Sequence, residues 1–293
     1  MVYAVKLAER CALVRSARSP HPLRASAAVA SEGYLGRPPP SVTVCFDGGG
    51  WTIPYLIGAV DGAGLGDRDD VAYAGVSSGA CVALAAALGV PMRSLMDDCV
   101  AWARVCRPVP ALTVNAVRSI CRRRVEALPS RAELLARVDG RLAIGVSAPP
   151  APPSSGSSRS RLRLPLESRV VSRFRDGAHV VSVVTASCTV PYVNAPPPSF
   201  APEPERRLGY LDGVLTARFF PPPWGGPVVR VSPTRGRACA DLACPADTSL
   251  LDSIVPLDED GLEALFELGR RDGPRLASLI SFRDGGKPPP EKK

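Results

Sequence analysis

The chain has 293 residues, enough for one large α/β domain or two small ones, and its 45% hydrophobic content allows a sizeable core. Nine irregularly spaced cysteines without a Cys-x-x-Cys pair, and only two histidines, argue against a disulfide framework and against a zinc or other metal site. The net charge of +8 favours an anionic partner surface, and because no nucleic-acid-binding motif accompanies it, a lipid surface is the preferred interpretation.

Residues 1–40 differ in composition from the rest of the chain. They are rich in arginine, serine and alanine, have Glu9 and Glu32 as their acidic residues, and end at three prolines. This composition predicts a transit peptide for a plastid or mitochondrion. The alternative is a disordered tail, with the protein in the cytoplasm or at a lipid droplet. An intracellular location is expected in both cases, because the cysteine pattern fits a reducing compartment.

A pattern of strand, glycine-rich turn and helix occurs twice near the start of the ordered chain. Strands are predicted over 42–46 and 71–74, where apolar residues dominate, and helices over 55–64 and 80–88. Two such units in succession predict an α/β fold, with helices packed on a mostly parallel sheet. The further predicted helices are 91–105, 114–127, 131–138, 178–187 and 261–280, and the further strands are 142–146, 169–174 and 228–231.

The run Gly75-Val76-Ser77-Ser78-Gly79 lies in an uncharged stretch, 71–92. Its glycines and serines argue against a membrane span and for a buried strand, a tight turn and a buried helix. A Gly-x-Ser-x-Gly turn in that context lifts the serine hydroxyl out at the end of the strand, and the helix N-terminus stabilises developing negative charge. Ser77 is therefore the predicted nucleophile, with Gly75 and Gly79 making room for the turn. Ser78 is interpreted as a polar helix-terminal residue with no chemical role.

The glycine triplet Gly48-Gly49-Gly50 follows the first predicted strand. Consecutive glycines let backbone N–H groups converge on an anion, which is either a phosphate or the oxyanion of an acyl-transfer intermediate. A dinucleotide fingerprint would need a third glycine where Ile53 stands, so no nucleotide cofactor is indicated. With a serine turn one βα unit later, an oxyanion hole is the preferred interpretation.

Two residues are candidates for the catalytic base. His21 lies within residues 1–40, which leaves His179, in an apolar run, as the histidine of a possible Ser-His-Asp triad. The alternative is a carboxylate that acts directly on Ser77. Asp212 follows an apolar pair and precedes Gly213, which suits a turn at the end of a strand on the same rim as Ser77.

The ordered set of glycine triplet, Gly-x-Ser-x-Gly and Asp-Gly resembles the patatin-like phospholipase family, and more narrowly its branch with animal adipose triglyceride lipase and adiponutrin. The resemblance covers about 42–282. It implies a three-layer α/β/α fold with a mostly parallel central sheet, and a Ser-Asp dyad without histidine. It also implies that Ser77 is the nucleophile, that Asp212 is the base, and that Gly48, Gly49 and Gly50 supply oxyanion-hole N–H groups. The implied activity is hydrolysis of fatty acyl esters of glycerolipids, as a triacylglycerol lipase or a phospholipase A.

Two positions depart from the family pattern. The family usually has glycine where Ile53 and Val214 stand, and a bulky Val214 is expected to shift the loop that carries Asp212. A second hypothesis is therefore a catalytically degenerate lipid-binding or lipid-droplet protein. The third hypothesis is the esterase that uses His179.

The predicted organisation is a patatin-like domain over 41–283, with a Pro- and Ser-rich insertion at about 148–160 and a disordered tail at 284–293. The expected partners are the glycerolipid substrate, a membrane or lipid-droplet surface bound peripherally, and a possible protein coactivator. Two segments are candidates for contact with that surface. One is the basic cluster of Arg118 and Arg122 to Arg124, whose alternative is a solvated helix face, and the other is the apolar, proline-stiffened segment 219–224.

Overall fold

Residues 40–66, 68–148, 166–190, 193–194 and 210–285 are described in a computed structural model of the protein. They form an α/β fold around a seven-stranded sheet. The strands are β1 Val42–Phe46, β2 Val71–Val76, β3 Leu142–Ala148, β4 Glu167–Val171, β5 Leu211–Asp212, β6 Val228–Ser232 and β7 Leu242–Ala243. Their order is β4-β3-β2-β1-β6-β7 with β5 paired to β3, and all pairs are parallel except the two that β4 and β5 make with β3.

Helices flank this sheet, and the predicted fold class is confirmed. The helices are α1 Ile53–Gly62, α2 Ser78–Ala87, α3 Met92–Cys106, α4 Thr113–Glu126, α5 Arg131–Val138, α6 Gly177–Ser187, α7 Leu250–Ile254 and α8 Glu259–Arg283. Each predicted helix is present with its ends shifted by a few residues. Helix α5 begins at Arg131 as predicted, and its first turn is capped by the Ser130 hydroxyl, which accepts a hydrogen bond from the Glu133 N–H. No helix of the described residues is long and apolar enough to cross a membrane.

The strand predictions are correct in the centre of the sheet and less so at its edges. The strand predicted over 169–174 lies instead at Glu167–Val171, antiparallel to β3, because the chain must leave the sheet before it enters α6. The strand end expected before Gly213 is the two-residue β5. The short elements β7 and α7 were not predicted, since two to five residues carry too little periodic pattern. The predicted leader, most of the insertion and most of the tail lie outside the described residues.

The two faces of the sheet are covered in different ways. One face joins the helices in the main core and contributes large side chains, among them Val44, Phe46, Tyr73, Ile144 and Val231. Successive strand residues point to opposite faces. The second face is therefore built from their neighbours, which are the smaller Cys45, Ala74, Val76 and Ala143. Phe220 packs on this second face.

The contacts of Phe220 and Trp224 correct the prediction that 219–224 is an exposed docking segment. Phe220 is buried, and Trp224 is half-buried with its Nε1–H donating to Thr43 Oγ1 at 2.8 Å. The apolar composition that suggested membrane contact instead reflects packing on the sheet, which a local pattern cannot distinguish from exposure.

The basic cluster on α4 is also partly used inside the protein. Arg123 and Arg124 both form ion pairs with Asp98 on α3, and Arg124 also donates to Ser94 Oγ at 2.8 Å. Arg118 and Arg122 lie exposed on the same helix. Two of the four arginines of the predicted lipid-binding cluster therefore join α4 to α3.

Strand β3 extends beyond the carboxyl end of β2, and this extension positions the site. Residues Leu142 to Gly145 pair with β2, and the next two residues, Val146 and Ser147, pair with β5. Because β4 occupies the other edge of β3 at these residues, β5 lies on the same side as β2. The end of β5 therefore lies directly beyond the end of β2.

Helices α1 and α8 pack with their backbones almost in contact. A Cβ atom at Gly58 or Gly62 of α1, or at Gly269 or Gly273 of α8, would overlap backbone atoms of the partner helix. Helix α1 begins at Ile53, after a single 3-10 turn over Gly50–Thr52, so this contact links the glycine loop to the C-terminal helix.

Candidate active site

Ser77 lies in a sharp turn between β2 and α2. Its φ of 52° is positive, and it is the one non-glycine residue with such a φ among the described residues. With a ψ of −132° it is a sparsely populated conformation that costs about 1–3 kcal/mol and must be held by its surroundings. Gly75 and Gly79 permit the turn because a Cβ at either position would collide with backbone atoms of the turn or of β1. The strand, sharp turn and helix predicted around Ser77 are therefore present, and we call this turn the elbow.

A buried serine holds the Ser77 backbone in place. The Ser77 N–H donates to Ser187 Oγ at 2.8 Å, and Ser187 Oγ–H donates in turn to the Gly145 carbonyl at 2.7 Å. Ser187 is fully buried at the end of α6. Sequence reasoning did not single it out, because it is 110 residues from Ser77 and lies in an apolar helix.

The Ser77 hydroxyl donates to Asp212 Oδ2 at 2.8 Å, and both residues are buried. The second carboxylate oxygen, Oδ1, accepts the Val214 N–H at 2.9 Å. The Asp212 backbone is fixed on both sides: its N–H donates to the Thr189 carbonyl, and its carbonyl accepts from Ser147 Oγ at 2.7 Å. Ser77 and Asp212 therefore meet in the geometry that direct proton transfer between them requires.

Burial raises the pKa of Asp212 to about 7. Hydrogen bonds from Val214 and Ser77 and the charge of Arg218 oppose the rise but do not cancel it, and the charge of Asp47 adds to it. A carboxyl group with this pKa binds and releases a proton near neutral pH, as a general base must.

The glycine triplet forms a loop beside Ser77. The Gly49 N–H donates to Ser78 Oγ at 3.0 Å, and the Gly49 carbonyl accepts from Thr52 Oγ1 at 2.8 Å. Gly50 has a φ of +56°, and the carbonyl of Ser253 leaves no space for a Cβ there. Gly48 lies against the Ser77 side chain. These contacts hold the loop next to the predicted nucleophile, as its prediction as an oxyanion hole requires.

Asp47, directly before the triplet, is completely buried and has several polar partners. Ser232 Oγ–H donates to its Oδ2 at 2.9 Å, and Arg218 and Arg237 lie at 3.3 and 3.7 Å. Burial raises the pKa of Asp47 despite these partners. Arg218 also lies 3.5 Å from the Gly48 carbonyl, so it links Asp47 to the loop. These contacts join residues 171 and 185 positions apart, and no local pattern predicted them.

Residues 44–221 match the family model of the patatin-like phospholipases. The chain belongs to the patatin-like phospholipase family. A search of curated proteins gave no match. The family places the chain among lipid acyl hydrolases, and the match does not assign it to a branch of the family.

The two departures from the patatin-like pattern do not displace the Ser77–Asp212 pair. Ile53 has an ordinary helical φ of −49° at the start of α1, a conformation open to any residue. The Val214 side chain packs against Gly48, while its N–H binds Asp212. The Ser77–Asp212 hydrogen bond is therefore formed with a bulky residue at position 214, and a shift of the Asp212 loop relative to other members of the family stays a prediction.

His179 lies away from Ser77. It is in the first turn of α6, where its N–H donates to Asp176 Oδ1 and its Nδ1 accepts from the Arg175 N–H. The other end of α6, at Ser187, contacts Ser77, and the two ends are separated by about 12 Å along the helix axis. The geometry does not support a triad with His179. In the described ranges, no three or more His, Cys, Asp or Glu side chains are grouped to hold a metal ion.

The raised pKa of Asp212 predicts a pH-dependent stability difference for Asp212→Asn. An aspartate whose folded pKa exceeds its unfolded pKa destabilises the fold as pH rises through the interval between them. That interval runs from 3.8 to about 7. We expect Asp212→Asn to be more stable than the wild type at pH 8, by up to about 4 kcal/mol, with the difference shrinking toward pH 4.

Urea unfolding of both proteins at several pH values measures this difference. Asp61→Asn, at an exposed position on α1, is the matched control and should follow the wild type throughout. Parallel stability curves for Asp212→Asn and the wild type from pH 4 to 8 would contradict the raised pKa.

Proposed function

We propose that this protein hydrolyses fatty acyl esters of glycerolipids, of the triacylglycerol or phospholipid class, through a Ser77–Asp212 dyad. The observation that carries the proposal is the 2.8 Å hydrogen bond from Ser77 Oγ to a buried carboxylate with a pKa of about 7, beside a rigid glycine loop. Membership of the patatin-like family supports the reaction class.

The proposed reaction has two stages. Asp212 accepts the Ser77 proton while the serine oxygen attacks the ester carbonyl, and the N–H groups of the glycine loop stabilise the oxyanion. Collapse of this intermediate releases the alcohol, which takes the proton from Asp212, and leaves an acyl-enzyme. Asp212 then activates a water molecule that releases the fatty acid and restores Ser77.

We further propose that α7 makes contact with the lipid surface. Leu250 and Leu251 on this helix are 47% and 54% exposed. The helix adjoins the glycine loop, since its Ser253 carbonyl lies against Gly50. Two leucines beside the site would bring the reacting serine to the lipid phase.

Replacing Ser77 tests the nucleophile. We expect Ser77→Ala to lower kcat on a short-chain p-nitrophenyl ester by at least about 10³-fold and to abolish labelling by a fluorophosphonate probe. Ser119→Ala, an exposed serine on α4, is the control that should keep wild-type activity and labelling. Undiminished turnover in Ser77→Ala would rule out the assignment. A wild-type protein that binds liposomes but neither reacts nor labels would favour the lipid-binding hypothesis.

The pH dependence of kcat/KM tests the base. Asp212 accepts a proton only when it is ionised, so activity should fall below about pH 7 and reach a plateau above it. Because a histidine could give a similar profile, the measurement is repeated with His179→Ala. That variant should retain the activity and the acidic limb, whereas Asp212→Asn should lose activity at every pH. The opposite result would assign the base to His179.

Replacing the α7 leucines tests the docking surface. We expect the double variant Leu250→Asp and Leu251→Asp to bind phosphatidylcholine–phosphatidylserine vesicles at least about tenfold more weakly, because apolar side chains no longer enter the lipid. Hydrolysis of a soluble ester should be retained. Phe282→Asp is the control: Phe282 is 41% exposed, at the end of α8 remote from the loop. Equal binding by all three proteins would place the docking surface elsewhere.

A further inference from the structure

Ser78, the residue after Ser77, begins α2 and makes a hydrogen bond with the glycine loop that the proposed mechanism does not use. Its Oγ accepts the Gly49 N–H at 3.0 Å, and the residue is buried. Gly49 is one of the proposed oxyanion donors, so its N–H is already engaged. The Gly49 N–H is therefore not free to donate to an intermediate formed at Ser77.

The peptide that donates to Ser78 has little freedom to turn away. The Gly48 carbonyl, at the other end of the same peptide unit, lies 3.5 Å from the Arg218 guanidinium. The Gly49 carbonyl accepts from Thr52, which fixes the next peptide. The Gly49 N–H is thus held toward α2 and Ser78.

A serine hydroxyl can accept and donate at the same time, since it has two lone pairs and one proton. Among the contacts of the described residues, Ser78 Oγ makes the one to Gly49, in which it is the acceptor. Its O–H proton remains for donation. An N–H that donates to a hydroxyl polarises that hydroxyl and makes it a stronger donor.

We propose that Ser78 is a catalytic residue that donates its O–H to the oxyanion, with the Gly49 N–H acting through it. This inference rests on the Ser77–Asp212 function proposed above. When Ser77 Oγ bonds to the ester carbon, the π electron pair of the carbonyl moves to its oxygen, and the Ser77 proton passes to Asp212. Ser78 keeps its proton and stabilises the new charge by a hydrogen bond. This proposed role differs from the interpretation of Ser78 as a polar helix-terminal residue with no chemical role.

The position of Gly48 is consistent with this role. Gly48 lies against the Ser77 side chain, and the Gly48–Gly49 peptide carries the N–H that Ser78 accepts. The loop, Ser77 and the Ser78 hydroxyl are therefore neighbours, as contact of all three with the carbonyl oxygen of a bound ester requires.

The test compares Ser78→Ala, Ser78→Cys and Ser78→Thr with the wild type on a p-nitrophenyl ester. Loss of a donor that acts in the transition state should lower kcat about 10–10³-fold in the alanine variant, with KM changed less than about twofold. The cysteine variant keeps the size of the side chain but is a weak donor, so it should lose kcat as well. The threonine variant, which keeps the hydroxyl, should retain most of kcat.

A kcat within about twofold of wild type, or higher, in the alanine and cysteine variants would overturn the proposal. Ser78 would then be a tether whose removal frees the Gly49 N–H. A rise in KM at constant kcat would overturn it too, because that pattern shows loss of uniform binding. A thermal unfolding curve without a transition identifies a variant that has not folded. If the alanine variant does not fold, the kcat of the cysteine variant tests the proposal.

Failure of this inference is distinct from failure of the proposed function. If the wild type hydrolyses the ester, Ser77→Ala does not, and the Ser78 variants are unaffected, the dyad stands and the role of Ser78 is lost. If the wild type itself neither hydrolyses the ester nor labels with a fluorophosphonate, the proposed function fails first.

Discussion

The positive φ of Ser77 is the constraint on which the rest of the site depends. A serine in this conformation presents its hydroxyl at the end of β2, but the backbone relaxes unless neighbouring groups hold it. Two kinds of contact do so. Ser187 links the Ser77 N–H to the Gly145 carbonyl of β3. The end of β1 lies so close to Gly79 that a Cβ atom there would collide with it. The sheet and α6 together therefore determine where the Ser77 hydroxyl points.

Two buried carboxylates lie in this site, and their surroundings give them different tasks. Asp47 has Arg218 and Arg237 as cationic partners and is joined to the glycine loop through Arg218. Asp212 has hydrogen bonds from Ser77 and Val214, which are neutral donors. Burial raises the pKa of both carboxyl groups, but Asp212 contacts the Ser77 hydroxyl, whereas Asp47 contacts Ser232 and the two arginines. Asp212 is accordingly placed to exchange a proton with Ser77, and Asp47 to hold the structure around the loop.

The parts of the site that the sequence predicts are those formed by residues close together in the chain. The elbow at Ser77 and the glycine triplet each combine a strand, a turn and a helix within about twenty residues, and such patterns are set by local backbone rules. Asp212 was a weak candidate on its own and gained its role from the family resemblance. What makes it a partner of Ser77 is the pairing of β5 with the extension of β3, which no pattern near residue 212 specifies.

The features that were missed or misjudged depend on contacts between distant residues. Ser187 contacts Ser77, which is 110 residues away in the chain, and Arg218 contacts Asp47, which is 171 residues away. Phe220 looked like an interfacial residue because it is apolar and flanked by prolines, and it instead fills the space above Gly145. The apolar character of a residue predicts that it is removed from water. Whether it packs in the core or against a lipid surface depends on the path of the chain.

The backbone contact between α1 and α8 also bears on what constitutes the folded unit. The family match ends at residue 221, whereas the helix that packs on α1 ends at Arg283, and β6, which pairs with β1, begins at Val228. A recombinant fragment cut at the match boundary would leave one edge of β1 unpaired and the glycine face of α1 in water. Such exposed backbone edges promote aggregation. The smallest stable piece of this protein therefore extends well past the stretch by which its family is identified.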